Sequence, residues 1–478
     1  MLPKLLILAT TPVIMFASLF SSSVALAMIL VGPTFEVALQ SYVGILAARP
    51  VIFNVGLALI CAASLGATFG RGQRPFQNAF NPASISMFLL VFLSLASLGW
   101  TAADADTRAL VKSSIPYTIL YCVVAPLLVS RVRDLRTTFF TVLILGTAVA
   151  AAILLNPDAT MRSGRIDIKI GAVDSINPLA VGYLGGVLFV TAVIYRPRKV
   201  AAWIMPARIG LAFMGIGVTL QSGSRGQLLI TALMAIIFLP LSRKIQNFGR
   251  FVALSVGGVF ALVAFRLAMG FFITYENEER WSFESLSDGG GGRIEMAATA
   301  LGDLLQNPQS WLLGRGAGNF VTLDASHSYV HNFPIEAITE LGIVGFMLFM
   351  FVVVTGFRSG RSLWLMYRDD DDYRMLVSTL LAVSSFTFLL SFKEGTIHDP
   401  GQKIFPLLLL ARIARNEQQD ASAWTHADED GDEYGDEYAE DGYASEYGEG
   451  YDAARAGRNR DSDGATGHDD QGTDPSPA

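Results

Sequence analysis

The run at 335–357, IEAITELGIVGFMLFMFVVVTGF, meets Arg358 and Arg361 as soon as it ends. After Glu340 it carries no charge, and it is long enough for a bilayer core, which takes about 20 apolar residues in a helix. Backbone N–H and C=O groups in lipid must pair within their own segment, so such a run is expected to be helical. Similar runs recur at 5–31, 50–69, 84–100, 113–130, 137–155, 177–195, 203–221, 224–240, 249–273, 374–392 and 402–413. The pattern predicts an all-α polytopic membrane protein of about 12 transmembrane helices. Residues 33–48 are semi-polar and could hold a re-entrant turn. Ala25 and Ala27 fit a signal-peptidase site, but the apolar run before Val31 is long enough to remain as an uncleaved first helix.

Composition agrees. The chain is 52% hydrophobic and 16% charged, against about 25% charged in soluble domains. Residues 416–478 hold 19 acidic and 3 basic residues, a net of -16, which leaves +9 on 1–415. The end of the chain repeats Asp/Glu-Tyr-Gly units, and like-charge repulsion with few apolar residues predicts a disordered tail there. It is expected as a solvated tail, with a binding segment for a basic partner as the alternative. Cys61 and Cys122 each sit in an apolar run, which supports neither a disulfide framework nor a cysteine metal site.

Orientation follows from the basic loops. Arg71 and Arg74, then Arg131, Arg133 and Arg136, then Arg196, Arg198 and Lys199 follow even-numbered spans. So do Arg243, Lys244 and Arg250, then Arg358, Arg361 and Arg368, then Arg412 and Arg415. One parity collects the positive charge, so both termini are expected to be cytoplasmic. The division expected is helices 1–9 in 1–273, a large outer loop at 274–334, helices 10–12 in 335–415 and the tail at 416–478. Of the outward loops, 274–334 is the only one long enough to be expected to hold structure. Four glycines at 289–292 precede RIEMAATALGDLLQ, whose Ile294, Ala297, Ala298, Leu301, Leu304 and Leu305 share a helical face. Asn307-Pro308 ends this amphipathic helix, and Trp311 suits the membrane interface.

Three outward positions stand out. Arg225, in QSGSRGQ (221–227), opens a span where the helix dipole is already positive, so it serves best by holding an anion; a snorkelling surface arginine is the alternative. Ser222 and Ser224 are expected as helix caps. Arg293 follows a glycine run at a helix N-terminus, an anion-binding geometry that a plain hinge would also explain. His331, in HSYVHNFPIE, precedes a helix whose dipole favours neutral imidazole, which suits a general base; a structural loop histidine is the alternative. His327 lies four residues before His331 and, with Asp324 or Glu336, offers a metal set, though the glutamate of an HExxH motif is absent. Arg266 either lines a cavity or snorkels. Lys393, Glu394, His398 and Asp399 form either an acceptor-side patch or a solvated turn.

QSGSRG (221–226), GGRIEMAATALGDLLQNPQSWLLGRGAGNF (291–320) and HNFPIEAITELGIVG (331–345), in this order, resemble the O-antigen ligase and O-antigen polymerase superfamily, with its related exopolysaccharide polymerases. The likeness covers about a quarter of the chain, and Met296 departs from the aromatic residue that many members carry after the loop arginine. The resemblance implies a GT-C-like glycosyltransferase of a bacterial inner membrane with a large periplasmic loop. It implies a donor glycan on undecaprenyl pyrophosphate and an acceptor hydroxyl on lipid A-core or on another lipid-linked glycan. It assigns Arg225 and Arg293 to the pyrophosphate and His331 to acceptor activation, with Arg266, Asn332, Glu336 and His327 around the substrate. Neither a cofactor nor a metal is expected. Membrane lipids and proteins of chain-length control or export are expected partners; nucleic acid is not. A flippase or transporter of a lipid-linked glycan, and a membrane scaffold, are the competing classes.

Overall fold

The computed structural model describes residues 2–49, 51–72, 74–162, 164–170, 174–175, 177–197, 204–243, 291–324, 329–397 and 401–429, with Gly249, Val252, Val256 and His327 as single positions. The chain runs through α1 (Leu2–Phe20), α2 (Ser22–Tyr42), α3 (Gly44–Ala48), α4 (Val51–Gly70) and α5 (Pro82–Ala96). Next come α6 (Ala105–Ser113), α7 (Ile115–Ile119), α8 (Ala125–Leu127) and α9 (Leu135–Leu154), with a π-helical stretch, Leu120–Val124, between α7 and α8. A small antiparallel sheet follows, of β1 (Ala159–Arg162), β2 (Arg165–Ile170) and β3 (Asp174–Ser175). Then come α10 (Pro178–Ile194), α11 (Ile204–Gln221) and α12 (Arg225–Leu241). The last four are α13 (Gly291–Gln306), α14 (Phe333–Met366), α15 (Asp371–Glu394) and α16 (Gly401–Glu429).

Among the described residues, eight helices are long and apolar enough to cross a membrane, and α10 and α12 are shorter apolar helices. The protein is a mostly helical, multi-pass membrane protein. Its periphery is apolar: Phe16, Leu59 and Phe88 are each more than 60% exposed. Its centre is apolar on every side of the helix, as a buried helix must be: Val24–Val31 in α2 and Ile404–Ala414 in α16 are buried throughout. The span expected at 249–273 has only Gly249, Val252 and Val256 among the described residues.

Helix ends sort onto two faces. Arg412, 1% exposed, donates to the carbonyls of Pro75 (2.5 Å), Gln77 (3.1 Å), Pro126 (2.6 Å) and Val129 (3.0 Å). Glu417 accepts from Val132 N and Tyr367 Oη, and Arg131 pairs with Asp420. The loops after α5's predecessor, after α8 and after α14 therefore share a face with the far part of α16. We call this the Arg412 face. The opposite face carries the sheet, α6, α13 and the segment before α14.

Several expectations change. The run 5–31 is not one span: the chain turns at Ser21, which is extended (φ -139°), and α2 continues past Pro33 to Tyr42, through part of the semi-polar stretch that leaves room for a re-entrant turn. Arg71 Nη1 donates to Phe20 O at 2.9 Å, so α1 ends on the Arg412 face and begins on the other. The start of α1 and the end of α16 thus lie at opposite ends of the helix bundle. Residues 416–429 of the expected tail are helix; 430–478 lie outside the described residues.

Structure in the outer segments is not confined to 274–334. Residues 159–170 form a hairpin in register Ala159↔Ile168 and Arg162↔Arg165, with Ile166, Ile168 and Ile170 inward. The expected apolar stripe of α13 also splits. Met296 and Ala300, with Ala297, pack toward Phe320 and Val330, and Leu304 is buried, while Ile294 (71%) and Leu305 (66%) are exposed.

The run quoted first is one helix with an interruption. Gly342 has φ 69° and ψ -167°, breaking α14 near its start. The freed carbonyls of Thr339 and Glu340 accept from Arg315 N (3.1 Å) and Gly316 N (2.8 Å). Ile343 N and Val344 N donate to Trp311 O (2.8 Å) and Leu312 O (3.2 Å). The buried Glu340 carboxylate accepts from Gly318 N (2.8 Å) and Phe320 N (3.2 Å). Irregular backbone at such a place is stable because every freed group finds a partner in protein. The loop 311–320 is thereby clamped to α14, and with it the position of α13.

Candidate functional site

His331 lies two residues before α14 with φ 59°, a left-handed backbone that non-glycine residues rarely adopt. The ring of Tyr329 packs on it at 4.1 Å between centroids. Its Nδ1 is buried and has no hydrogen-bond partner among the described residues. Burial pushes its pKa below the ordinary 6.5; Arg293 and then His327 push it further, and Glu394 opposes them. The imidazole is therefore neutral near pH 7, with one nitrogen able to accept a proton.

Arg293, near the N-terminus of α13, is the common neighbour. It acts electrostatically on His331, on Arg165 at the start of β2 and on Lys393 at the end of α15. Lys393 in turn lies against the QSGSRGQ segment. Its Nζ donates to Ser224 Oγ, and a Cβ on Gly226 would stand 2.7 Å from its Cδ. The absence of a side chain at Gly226 is thus what admits the lysine beside Arg225. Gln227 Nε2 donates to Leu179 O (2.8 Å) and Glu394 Oε1 (2.9 Å), and Lys403 Nζ reaches the same oxygen at 3.3 Å. The start of α12, the end of α15 and the start of α16 are one hydrogen-bonded unit.

Of the three residues expected to carry chemistry, His331 and Arg293 lie within electrostatic range of each other, and Arg225 is the chain neighbour of Gly226, against which Lys393 lies. The secondary set does otherwise. Asn332 caps α14, its Oδ1 accepting from Ile335 N at 3.2 Å. Glu336 is fully buried and accepts from Thr396 Oγ1 (2.6 Å) and Ile397 N (3.3 Å), so it fixes the turn after α15. His327 pairs with Asp324 at 2.7 Å, its ring 6.4 Å from that of His331. The histidine metal set is not assembled: no group of three or more His, Cys, Asp or Glu able to hold an ion occurs among the described residues. Ser224 is the N-cap of α12 but makes no side-chain cap bond, because its hydroxyl accepts from Lys393. Arg266, His398 and Asp399 lie outside the described residues.

No known protein family matches the chain, and no curated protein does. Among solved structures, a chain from one described as "Structural coordination of polymerization and crosslinking by a peptidoglycan synthase complex" aligns at 15% identity, over 71% of this chain and 98% of that one, with a TM-score of 0.40. A likeness of that size says nothing about what this chain does.

Sequence reading missed Arg165, because its loop looked too short for structure, and Lys403, because it opens a span like any interfacial lysine. The available signal was parity: both are cations on the face that the basic loops avoid. Together the groups can hold a multiply charged anion beside a neutral base.

Proposed function

We propose that this chain is a membrane glycosyltransferase that moves a glycan from a lipid pyrophosphate to a sugar hydroxyl, as an O-antigen ligase or an O-antigen or exopolysaccharide polymerase. The reading is supported above all by one observation: a half-buried imidazole, whose buried Nδ1 has no hydrogen-bond partner among the described residues and whose pKa burial pushes down, stands in electrostatic range of Arg293, which also acts on Lys393 and Arg165. The Arg412 face collects the basic loops, so by the positive-inside rule it faces the cytosol. The site then opens on the periplasmic side of a bacterial inner membrane, where undecaprenyl-pyrophosphate-linked glycans are presented.

In this mechanism the acceptor hydroxyl attacks the anomeric carbon as His331 takes its proton. The new C–O bond forms opposite the bond to pyrophosphate, which breaks with its electron pair going to the leaving oxygen. Configuration at that carbon inverts. Arg225, Arg293 and Lys393 meet the charge that develops on the pyrophosphate, and a positioned donor of this kind contributes about 3–4 kcal/mol to a transition state. The planar fork of arginine suits phosphate oxygens better than a point charge does.

The test is glycan transfer by purified protein in proteoliposomes. His331→Ala is expected to lower the rate by roughly 100- to 10,000-fold while the protein inserts and melts normally. Unchanged transfer by that variant overturns the mechanism. Wild-type protein that carries the lipid-linked glycan across the bilayer without transferring it overturns the reading in favour of a flippase.

A further inference from the structure

Beside the cation cluster lies a cavity of about 290 Å³, lined by residues from the ends of α2, α4, α7, α10, α15 and α16 that share the α13 face. Its size is at the small end of the range for small-molecule sites, about 300–1,000 Å³, enough for one ring but not for a chain of them. Its wall is unusually polar for the interior of an apolar bundle. Glu36 stands six residues before the end of α2 and accepts from Asn54 Nδ2 (3.0 Å) and Gln40 Nε2 (3.1 Å). Asn54 Nδ2 also donates to Tyr117 Oη at 2.9 Å. Across the space, Lys403 Nζ sits 5.3 Å from the centroid of the Tyr183 ring, and Glu394 Oε2 is buried with no hydrogen-bond partner among the described residues. Ionisable groups inside a membrane bundle are costly and stay where they face a cavity or a ligand.

The chemistry of the wall selects its occupant. Among the described lining residues, two carboxylates, Glu36 and Glu394, stand with one ammonium, Lys403, which pairs with Glu394 at 3.3 Å, and none of Arg165, Arg225, Arg293 or Lys393 lines the space. Such a wall offers no free cation to phosphate among the described residues. It offers acceptors (the carboxylates), donors (Lys403 and the amides of Asn54 and Gln402) and ring faces (Tyr183 and Phe53) at once, the combination that suits a neutral ring bearing many hydroxyls. Its rim includes Tyr329, the ring packed on His331, so a ring seated here is adjacent to the base.

We propose that this cavity seats the terminal, uncharged sugar ring of the acceptor, held by Glu36, Asn54 and Tyr117 on one wall and by Glu394 and Lys403 on the other. The proposal rests on the transferase reading for the word acceptor, but not for the binding itself.

The test separates the two. Full-length protein in nanodiscs is titrated with a panel of methyl glycosides (gluco, galacto, manno, rhamno and N-acetylglucosamine) and, separately, with inorganic pyrophosphate, by intrinsic fluorescence. At least one glycoside is expected to bind, with an affinity lowered about tenfold or more in Glu36→Gln, while pyrophosphate binding is unchanged. Glutamine keeps the shape and an acceptor oxygen, and Tyr117→Phe, which removes only a hydroxyl, is the second variant should the first melt early. In the transfer assay both variants are expected to raise the acceptor KM and leave the donor KM unchanged. A panel in which no glycoside binds, or glycoside binding and acceptor KM equal to wild type in both variants, overturns the cavity while leaving the transferase reading standing. Glycoside binding that Glu36→Gln weakens, in a protein that transfers nothing, sustains the cavity and overturns the transferase.

Discussion

His331 shows how placement tunes a side chain. Its neutral form is favoured by burial and then by the electrostatic influence of Arg293 and His327, with Glu394 opposing them among the described residues. A base must be unprotonated, so the rate falls as pH drops through the lowered pKa and is flat above it. The acid limb of kcat/KM is therefore expected below pH 6.5, the ordinary histidine value. Glu394→Gln, by removing that opposing charge, is expected to move that limb further down. A limb at or above 6.5, or one that Glu394→Gln shifts upward, removes His331 as the titrating base. This much was legible in the sequence: Arg225, Arg293 and His331 each sit at a helix start, where the dipole makes a cation or an imidazole unusual. Arg165 and Glu36 were not legible. The first depends on a hairpin formed by only twelve residues, Ala159–Ile170. The second depends on which neighbours surround a single carboxylate in an apolar helix, and spacing along one strand of sequence does not encode that.

Hydropathy measures how long an element is, not where it breaks. The spans were readable because lipid demands an apolar length, and the start of α13 at the four glycines and its stop at Asn307-Pro308 followed from residue chemistry. The break in α14 was not readable, since LGIVG looks like ordinary transmembrane sequence. In the fold Gly342 has backbone angles that only glycine tolerates, and a Cβ there would lie 2.4 Å from Leu312 O. Gly342→Ala is therefore expected to destabilise the protein by about 1–3 kcal/mol from backbone strain alone, and to release the 311–320 loop, because the contact is with backbone that cannot rotate away. Limited proteolysis in detergent should then cut near Gly314–Gly318 at a temperature where wild type is resistant, and the melting temperature should fall. A variant that resists protease and melts like wild type would mean the clamp does not organise the loop. The same reasoning explains the misread first run: three serines at 21–23 barely lower a hydropathy average, yet Ser21 turns the chain.

At the scale of the whole molecule, one extra turn reverses a terminus. Counting basic loops assigns faces correctly only when every span has been counted, and the sequence treated 5–31 as one. The hydrogen bond from Arg71 to Phe20 O ties the α1–α2 turn to the same face as Arg412, while Tyr42 Oη donates to Ala152 O at 2.6 Å near the other end of α9. α2 therefore runs from the Arg412 face to the opposite one, and α1 must start where α2 ends. A cysteine at Lys4 and a cysteine at Ser422 are then expected on opposite sides of the membrane. In spheroplasts treated with a membrane-impermeant maleimide, Lys4→Cys is expected to label at once and Ser422→Cys only after permeabilisation; buried Cys61 and half-buried Cys122 lie within helices and give a wild-type background for both. Labelling of both positions from one side would sink the two-helix reading of the N-terminal run. The placement of α1 matters for the site as well, because it packs on α2 and α4, the helices that carry Glu36 and Asn54. If α1 lay elsewhere, the polar wall of the cavity would lose the apolar backing that keeps those two side chains facing each other.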